Sequence, residues 1–244
     1  MKKSLTMALL YAILATVPAF SETKTVYEAV VALSVGGASP IPLPVEIRDI
    51  DGFNPGINPQ IRGSVTRRWG KAGINAGLQF GRKSMETGAR VKNYSTEVTK
   101  DDSRVSGRWT GKVFTSYSSW DISVPILATW KFSSSFQAGI GLYAGYVVNS
   151  SFGGYVTDGY LRQGDPTGPK VEFTENEKGN YSFPDGLRKV LSGAVAEATW
   201  YFSEHFGMST ALNWDFASIF KSSFTTVSFD MNRIYGVIGL TYRL

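Results

Sequence analysis

Apolar and polar residues alternate strictly along two neighbouring stretches near the middle of the chain. From Trp120 to Phe132 every second residue is apolar, and after three serines the alternation resumes from Phe136 to Val148. Period two over two stretches joined by a short turn is typical of an antiparallel β-hairpin with one apolar face. The opposite face carries few charges and many glycines. The pattern therefore predicts a strand pair whose two faces meet very different surroundings.

The composition of the two faces indicates that the apolar one faces lipid. A soluble barrel would bury its apolar face and cover its outside with Lys and Glu. Here the second face is small and polar, which suits a crowded lumen. The rise from Trp120 to Trp130 is about 33 Å at about 3.3 Å per residue. Tilted by about 40°, this stretch spans about 25 Å, the height of the apolar band on an outer-membrane barrel.

Six further stretches alternate in the same way, so we predict an all-β fold, an eight-stranded antiparallel up-and-down transmembrane β-barrel. Tight turns follow every second strand, and the four long connections fall at the other end, which is the expected asymmetry of periplasmic turns and outer loops. Because an edge cannot be left unpaired in lipid, the first strand must pair with the last. The expected strands are Val26–Gly36, Ile57–Trp69, Ala72–Met85, Trp120–Phe132, Phe136–Val148, Val190–Phe202, Phe206–Asp215 and Phe229–Leu244.

The long connections are interpreted as loops, because glycine, proline and charged residues are frequent in them. They are Gly37–Pro55, a polar stretch that runs up to Ser116, the excursion Phe152–Arg188 and a shorter segment near Lys221. Loops on a rigid scaffold are where binding residues concentrate. We therefore expect partners to meet the molecule at these loops, above all at the first and the third.

The first residues predict export through a signal peptide. Lys2 and Lys3 precede an apolar core, Leu5–Val17, and a small-residue cleavage site ends at Ser21. A membrane-anchor helix is the alternative, but about fourteen apolar residues are too few to span a bilayer comfortably. We expect residues 1–21 to be cleaved and residues 22–244 to form one barrel domain in the outer membrane.

Composition narrows the classes of partner. Cysteine is absent, which excludes a disulfide framework and a lipidated cysteine. The formal net charge of +5 is scattered along the chain and forms no basic stripe that would suggest nucleic acid. We expect contacts with outer-membrane lipids and lipopolysaccharide, envelope or secretion proteins at the loops, no nucleic acid, and a monomeric barrel.

The chain resembles the outer-membrane β-barrel families of Bacteroidetes, especially the PorT-like domain. The resemblance rests on the arm WDISVPILATWKF with its Pro125, on the following arm FQAGIGLYAGYVV, and on the end YGVIGLTYRL. The chain ends in Leu244 where many such proteins end in Phe, although Tyr242 keeps an aromatic residue close to the end. Small barrels of the OmpA and OmpX sort are a more distant architectural comparison. The resemblance implies a barrel over nearly all of the mature chain and, for some members, a component of protein secretion.

Polar residues that face the lumen are expected to form a structural network. An eight-stranded barrel has an interior just wide enough for side chains to fill, and polar groups buried there need partners. Arg62 and Glu197 lie at similar distances from their tight turns and are expected to meet. Glu28 is expected to pair with Arg243 across the closing seam, with Arg68 as a competing partner. The predicted network comprises Glu28, Arg62, Gln79, Lys131, Glu197 and Arg243. A proton or ion pathway is the less favoured alternative.

Aromatic residues at the ends of the lipid-facing rows predict girdles at the two membrane interfaces. Arg82 continues one of these rows just beyond Phe80, where we expect its guanidinium to reach lipid phosphates by snorkelling. The predicted girdle residues are Trp69, Phe80, Trp120, Trp130, Tyr146, Trp200, Trp214 and Tyr242.

These features favour a structural or interaction scaffold that acts through its loops. A more specific form of this hypothesis is that the protein assists protein secretion. We expect neither an enzymatic activity nor a cofactor. A lipid-modifying enzyme is the first alternative, and it would have to use His205 beside Ser203 and Glu204, although a turn histidine is more often simply solvated. No Cys/His cluster supports a zinc site. A narrow channel and a soluble ligand-binding barrel are the remaining alternatives.

Overall fold

The computed structural model describes residues 23–100 and 103–244, which form eleven β-strands and one turn of 3-10 helix at Pro184–Gly186. The predicted signal peptide lies outside these residues. Within the described part, no helix is long and apolar enough to cross a membrane. The strands are β1 Thr23–Ser39, β2 Ile47–Asn54, β3 Asn58–Trp69, β4 Ala72–Lys100, β5 Ser103–Lys131, β6 Phe136–Gln163, β7 Lys170–Phe173, β8 Gly179–Ser182, β9 Val190–Tyr201, β10 Phe206–Asp215 and β11 Asn232–Arg243.

Eight of the strands close into a barrel. In order around the ring they are β1, β3, β4, β5, β6, β9, β10 and β11, each antiparallel to its neighbours. The ring closes where β1 pairs with β11, in a register that runs from Glu28 opposite Arg243 to Ser39 opposite Asn232. The predicted eight-stranded antiparallel barrel is confirmed, including the pairing of its first and last strands.

Side chains alternate between the outside and the inside of the barrel wall. On β1, Val31 is 68% exposed and Leu33 is 50% exposed, whereas Val30 and Ala32, which alternate with them, are buried. Every barrel strand repeats this arrangement, so that a continuous apolar surface covers the outside while the interior is largely polar. An apolar outside and a polar inside is the polarity of a barrel that stands in lipid.

The prediction that the long connections are loops is wrong for most of their length. β4, β5 and β6 continue far beyond the lipid-facing rows, to 29, 29 and 28 residues. β4 and β6 therefore extend beyond the ends predicted at Met85 and Val148, and β5 begins before the start predicted at Trp120. Within Gly37–Pro55 the structure contains β2, and within Phe152–Arg188 it contains the outer part of β6 together with β7 and β8. The last strand begins at Asn232 rather than at Phe229.

Beyond the membrane the two faces of the long strands exchange their polarity. On β5, the outward row passes from Trp120 and Ile122 in the barrel to Lys112 and Arg108 above it, while the inward row passes from polar residues to Val113 and Trp109. Outside lipid, water surrounds the sheet, so that burial of apolar side chains requires them to point inward. The alternation therefore continues along the whole strand, but the apolar residues change sides.

We call this folded part beyond the barrel the extracellular extension. It consists of the outer parts of β4, β5 and β6 together with β2, β7 and β8. β2 pairs with β4, β7 pairs with β6, and β8 pairs with β6 and, through Asn180 opposite Thr99, with β4. Its apolar core includes Val98, Trp109, Val156, Leu161, Phe173 and Tyr181 and continues through Phe152 and Phe220 toward the barrel. The tight turns at the opposite end mark this end as extracellular.

Candidate functional site

At the periplasmic end of the lumen, Glu28 is the centre of a polar cluster. Tyr201 donates a hydrogen bond to its carboxylate, and Gln137 donates a second one at 3.5 Å. The Nε of Arg243 lies 3.6 Å from the same carboxylate, and its guanidinium stacks on the Tyr201 ring with 3.5 Å to the centroid. Arg68 donates to the side-chain oxygen of Gln137 and so reaches Glu28 only indirectly.

In the middle of the lumen, Arg62 of β3 and Glu197 of β9 form a two-pronged ion pair. Nη2 of Arg62 donates to Oε1 of Glu197 at 2.7 Å, and Nη1 donates to Oε2. The two side chains are 6% and 13% exposed, so the pair is shielded from water. Bidentate geometry of this kind is the strong form of a charge-assisted hydrogen bond. Gln79 lies opposite Arg62 in the strand register and lines the same part of the lumen.

Toward the extracellular end, Arg233 binds two carboxylates, and none of these three residues belongs to the predicted network. Its Nη1 lies 2.7 Å from Asp121 and its Nε lies 2.6 Å from Asp215. Tyr143 donates a hydrogen bond to Asp215. Alternation along each strand already points Asp121, Asp215 and Arg233 into the lumen, which is the signal by which they could have been found.

Lys83 completes the extracellular layer of the lumen. Its Nζ donates to Ser34 at 2.6 Å and to Gln60 at 2.9 Å, and it lies 5.0 Å from the centroid of the Tyr235 ring. Together these layers leave a cavity of about 40 Å³ in the lumen. A water molecule needs at least about 10–15 Å³ measured in this way, so the space holds only a few waters.

The remaining predicted lumen residue, Lys131, does not join these clusters. It lies at the periplasmic mouth of the barrel, beside Ser134, Tyr201 and Arg243. Its side chain is half-buried there.

The predicted girdle residues lie on the outer wall in two rows. All are at least partly exposed, and Phe80 stacks on Trp120 with 5.2 Å between ring centroids. Arg82 lies opposite Trp120 in the β4–β5 pairing and is half-buried among these side chains. The periplasmic row contains Trp69, Trp130, Trp200 and Tyr242, and the extracellular row contains Phe80, Trp120, Tyr146 and Trp214.

His205 lies exposed in the turn between β9 and β10. Its Nδ1 is 3.0 Å from the carbonyl oxygen of Arg243, and its ring stacks on Tyr242 at 5.9 Å. The neighbouring Ser203 hydroxyl accepts the backbone N–H of Phe206 at 2.9 Å and so helps to form the turn. Within the described residues, no group of three or more His, Cys, Asp or Glu is placed to hold a metal ion.

The outer face of the extracellular extension carries a groove of about 430 Å³, which crosses β2, β4, β5 and β6. Phe114 and Tyr155 stack at its side, with 4.8 Å between their ring centroids, and Lys178 lies 4.3 Å from the Tyr155 centroid. Gly52 and Gly88 form part of its floor. Side chains with an aromatic body are over-represented where proteins bind one another.

The model of a protein family described as outer membrane protein beta-barrel domain matches residues 24–221, which is most of the chain. The chain belongs to this family, and its closed barrel with an apolar outside is the fold of a bacterial outer-membrane protein. No curated protein sequence matches the chain.

The solved structures that match the chain include three of low sequence identity and low TM-score. Ail, the attachment invasion locus protein of Yersinia pestis, in complex with the heparin analogue sucrose octasulfate, is 9% identical, with 91% of this chain and 99% of that chain covered and a TM-score of 0.37. Neisserial surface protein A (NspA) is 10% identical, with 90% and 97% covered and a TM-score of 0.39. The CymD monoaromatic hydrocarbon channel is 9% identical, with 90% and 88% covered and a TM-score of 0.21.

Proposed function

We propose that this protein is an interaction scaffold of the outer membrane, in which the barrel holds the extracellular extension at the cell surface. The observation that carries the proposal is that the extension is a folded sheet with its own apolar core above a filled lumen. Trp109, Val156 and Leu161 are fully buried in that core. A fixed surface binds with less loss of conformational entropy than flexible loops do.

The groove beside Phe114 and Tyr155 supports a protein as the partner. It combines stacked aromatic side chains with the two lining glycines Gly52 and Gly88 on a β-sheet. The resemblance to PorT-like domains supports the sharper version of the proposal, in which the partner is an envelope or secretion protein. A single closed barrel supports a monomer as the membrane unit, since the ring of strands is completed within one chain.

Lipid contact is a second part of the proposal and rests on Arg82. Its position in the extracellular aromatic row supports a contact between its guanidinium and a lipopolysaccharide phosphate. The variant Arg82→Ala should co-purify with less lipopolysaccharide than the unaltered protein, and unchanged association would contradict this contact.

The scaffold is tested by its native size after mild detergent extraction from outer membranes. We expect the unaltered protein to migrate as an assembly larger than one chain. The double variant Phe114→Asp with Tyr155→Asp should migrate at the mass of one chain, because two charges placed in an apolar contact must be desolvated on binding. Ser134→Asp, in the periplasmic turn after β5, is the matched control and should keep the large assembly.

Boiled and unboiled gel lanes show whether each variant still forms the barrel, since a closed barrel resists unfolding until it is heated. A double variant that keeps both its heat-dependent mobility and the large assembly would contradict the groove as the contact. Migration of the unaltered protein at the mass of one chain would contradict a stable partner altogether.

A further inference from the structure

The barrel wall has a gap beside the extracellular end of β1. Pairing of β1 with β3 ends at Ser34 opposite Asn58, whereas β1 itself continues to Ser39 and there pairs with β11 alone. On the other side of the gap, β4 has exchanged β3 for β2 as its neighbour. Among the described strands, β1 and β2 share no paired residues, so the wall at this place is made of side chains rather than of backbone hydrogen bonds.

An apolar crevice of about 280 Å³ lies behind this gap, between the barrel and the core of the extension. Its inner wall is formed by Met85, Val91, Val113, Phe152 and Met231, all of which are buried. The few polar groups that line it are hydroxyls on Ser39, Thr87, Tyr94 and Thr115, and no charged side chain lines it. A crevice of this composition offers no partner to a charged group but accepts hydrocarbon.

The mouth of the crevice is also apolar. Leu43, Ile50 and Phe53 line it and are 51%, 54% and 55% exposed. A Cβ added to Gly37 would lie 2.6 Å from Met85 Sδ and 3.1 Å from Phe53 Cε2, which shows that these two side chains lie close over the end of β1. Large apolar side chains around an opening are the usual surroundings of a site for an apolar ligand.

The level of the mouth along the barrel points to the source of the ligand. Gly37, which lines the crevice, pairs with Ile234, and Ile234 pairs with Trp214 of the extracellular aromatic row. The mouth therefore lies at the upper border of the lipid, where the exposed row of Leu33 and Val35 on β1 ends. Hydrocarbon chains of the outer leaflet lie directly against that row.

We propose that the crevice binds one hydrocarbon chain of a membrane amphiphile, which enters sideways from the outer leaflet through the gap between β1 and β2. The crevice has about twice the volume of an apolar cavity that binds benzene, so an alkyl chain segment fits inside it. The head group stays outside, since the lining offers it no ionic partner. This site adjoins the groove on the outer face of the extension and shares the lining residues Phe53, Thr87 and Thr115 with it, but the proposal does not rest on a partner in that groove.

Methionine methyl groups provide a direct readout of occupancy. The chain has five methionines, of which Met85 and Met231 line the crevice and Met208 faces lipid on β10. The full chain, labelled with ¹³C in its methionine methyls and placed in phosphatidylcholine nanodiscs, is titrated with decanoate, and resonances are assigned through Met→Leu variants. We expect the Met85 and Met231 resonances to shift and saturate, while Met208 reports only the gradual partition of decanoate into the bilayer.

Two variants decide whether the shifts come from the crevice. Ala89→Phe places a ring inside the crevice and should abolish the saturating shifts, whereas Ala76→Phe, on the lipid-facing row of the same strand, should leave them unchanged. Leu43→Asp adds a charge at the exposed mouth without touching the core, and it should weaken decanoate binding by at least about tenfold.

Shifts of equal size and without saturation at all three methionines would overturn the proposal. The same holds if the saturating shifts persist unchanged in both Ala89→Phe and Leu43→Asp. The heat-dependent mobility of each variant on a gel shows that it has folded, so a loss of binding is not confused with a loss of the barrel.

Discussion

Arg62 and Glu197 lie on strands far apart in the sequence and meet in the middle of the lumen. With both side chains shielded from water, each charge depends on the other for the solvation it lost on folding. The net contribution of the ion pair to the free energy of unfolding is therefore smaller than the loss of stability expected when one of the two partners is removed.

Removal of one partner tests this dependence. We expect Arg62→Ala to lower the free energy of unfolding by about 3–5 kcal/mol, because Glu197 is left charged and unpaired. The control Arg90→Ala breaks an ion pair with Asp51 whose side chains are 59% and 34% exposed, and it should cost less than about 1 kcal/mol. Urea unfolding in lipid vesicles measures both, and equal losses would contradict the account.

Two glycines distinguish two effects of adding a side chain. One effect is a steric clash in the folded barrel, and the other is a restriction of the unfolded backbone. A Cβ on Gly141 would lie 1.9 Å from the carbonyl oxygen of Ile126, whereas a Cβ on the lipid-facing Gly63 meets nothing within 4 Å. We expect Gly141→Ala to destabilise the barrel by about 1–3 kcal/mol through overpacking. Gly63→Ala should be neutral or slightly stabilising because it restricts the unfolded chain. Folding into vesicles followed by urea titration compares them, and an equal loss in both would refute a steric cause.

At the scale of elements, the barrel strands were predictable because lipid imposes one rule on all of them. An apolar outer row next to a polar inner row is visible in one dimension, and it correctly marked all eight strands. The extension follows the opposite rule. On β5, Trp109 and Val113 point inward while Arg108 and Lys112 point outward, so a search for lipid-facing rows reads that stretch as polar.

The lumen contacts were less predictable than the strands. Alternation shows that Asp121, Asp215 and Arg233 point inward, but a contact also requires that the three lie at the same height. Height depends on the stagger between neighbouring strands, which is set by the shear of the closed barrel and not by any single strand. Arg62 and Glu197 were easier to pair, because each could be counted from a tight turn.

The core of the extension should unfold without the barrel. Trp109 is completely buried there, so Trp109→Ala should cost about 3–5 kcal/mol. Because the lipid-facing rows do not depend on this core, we expect proteases added outside to cut within residues 86–116 while the heat-dependent mobility of the barrel persists. Arg104→Ala, on the exposed surface of the same hairpin, should remain resistant. Loss of the mobility shift in Trp109→Ala would show that the two parts fold as one.

At the scale of the whole molecule, the filled lumen and the core above it leave no wide passage through the described residues. The lumen cavity of about 40 Å³ holds only a few waters, and Phe152 and Phe220 pack above it in the core of the extension. In this architecture, binding of a partner at the surface of the extension does not require a passage for solutes through the lumen.

Planar lipid bilayers test the filled lumen. We expect no stable single-channel steps from the reconstituted protein, because ions crossing the lumen would have to leave their hydration shells next to fixed side chains. An open general porin reconstituted in the same way is the positive control. Reproducible conductance steps that vanish after heating would contradict a closed lumen and favour the channel alternative.

The exchange of polarity along β4, β5 and β6 also sets an order of assembly. Residues that end in the core of the extension must first cross the membrane before their apolar side chains can contact one another. Until then the apolar side chains of Trp109 and its neighbours are not buried against one another, whereas the outer face of the barrel strands is buried as soon as the strands enter lipid. The biogenesis of this protein is thus a transport event followed by a folding event, and the surface it presents is completed last.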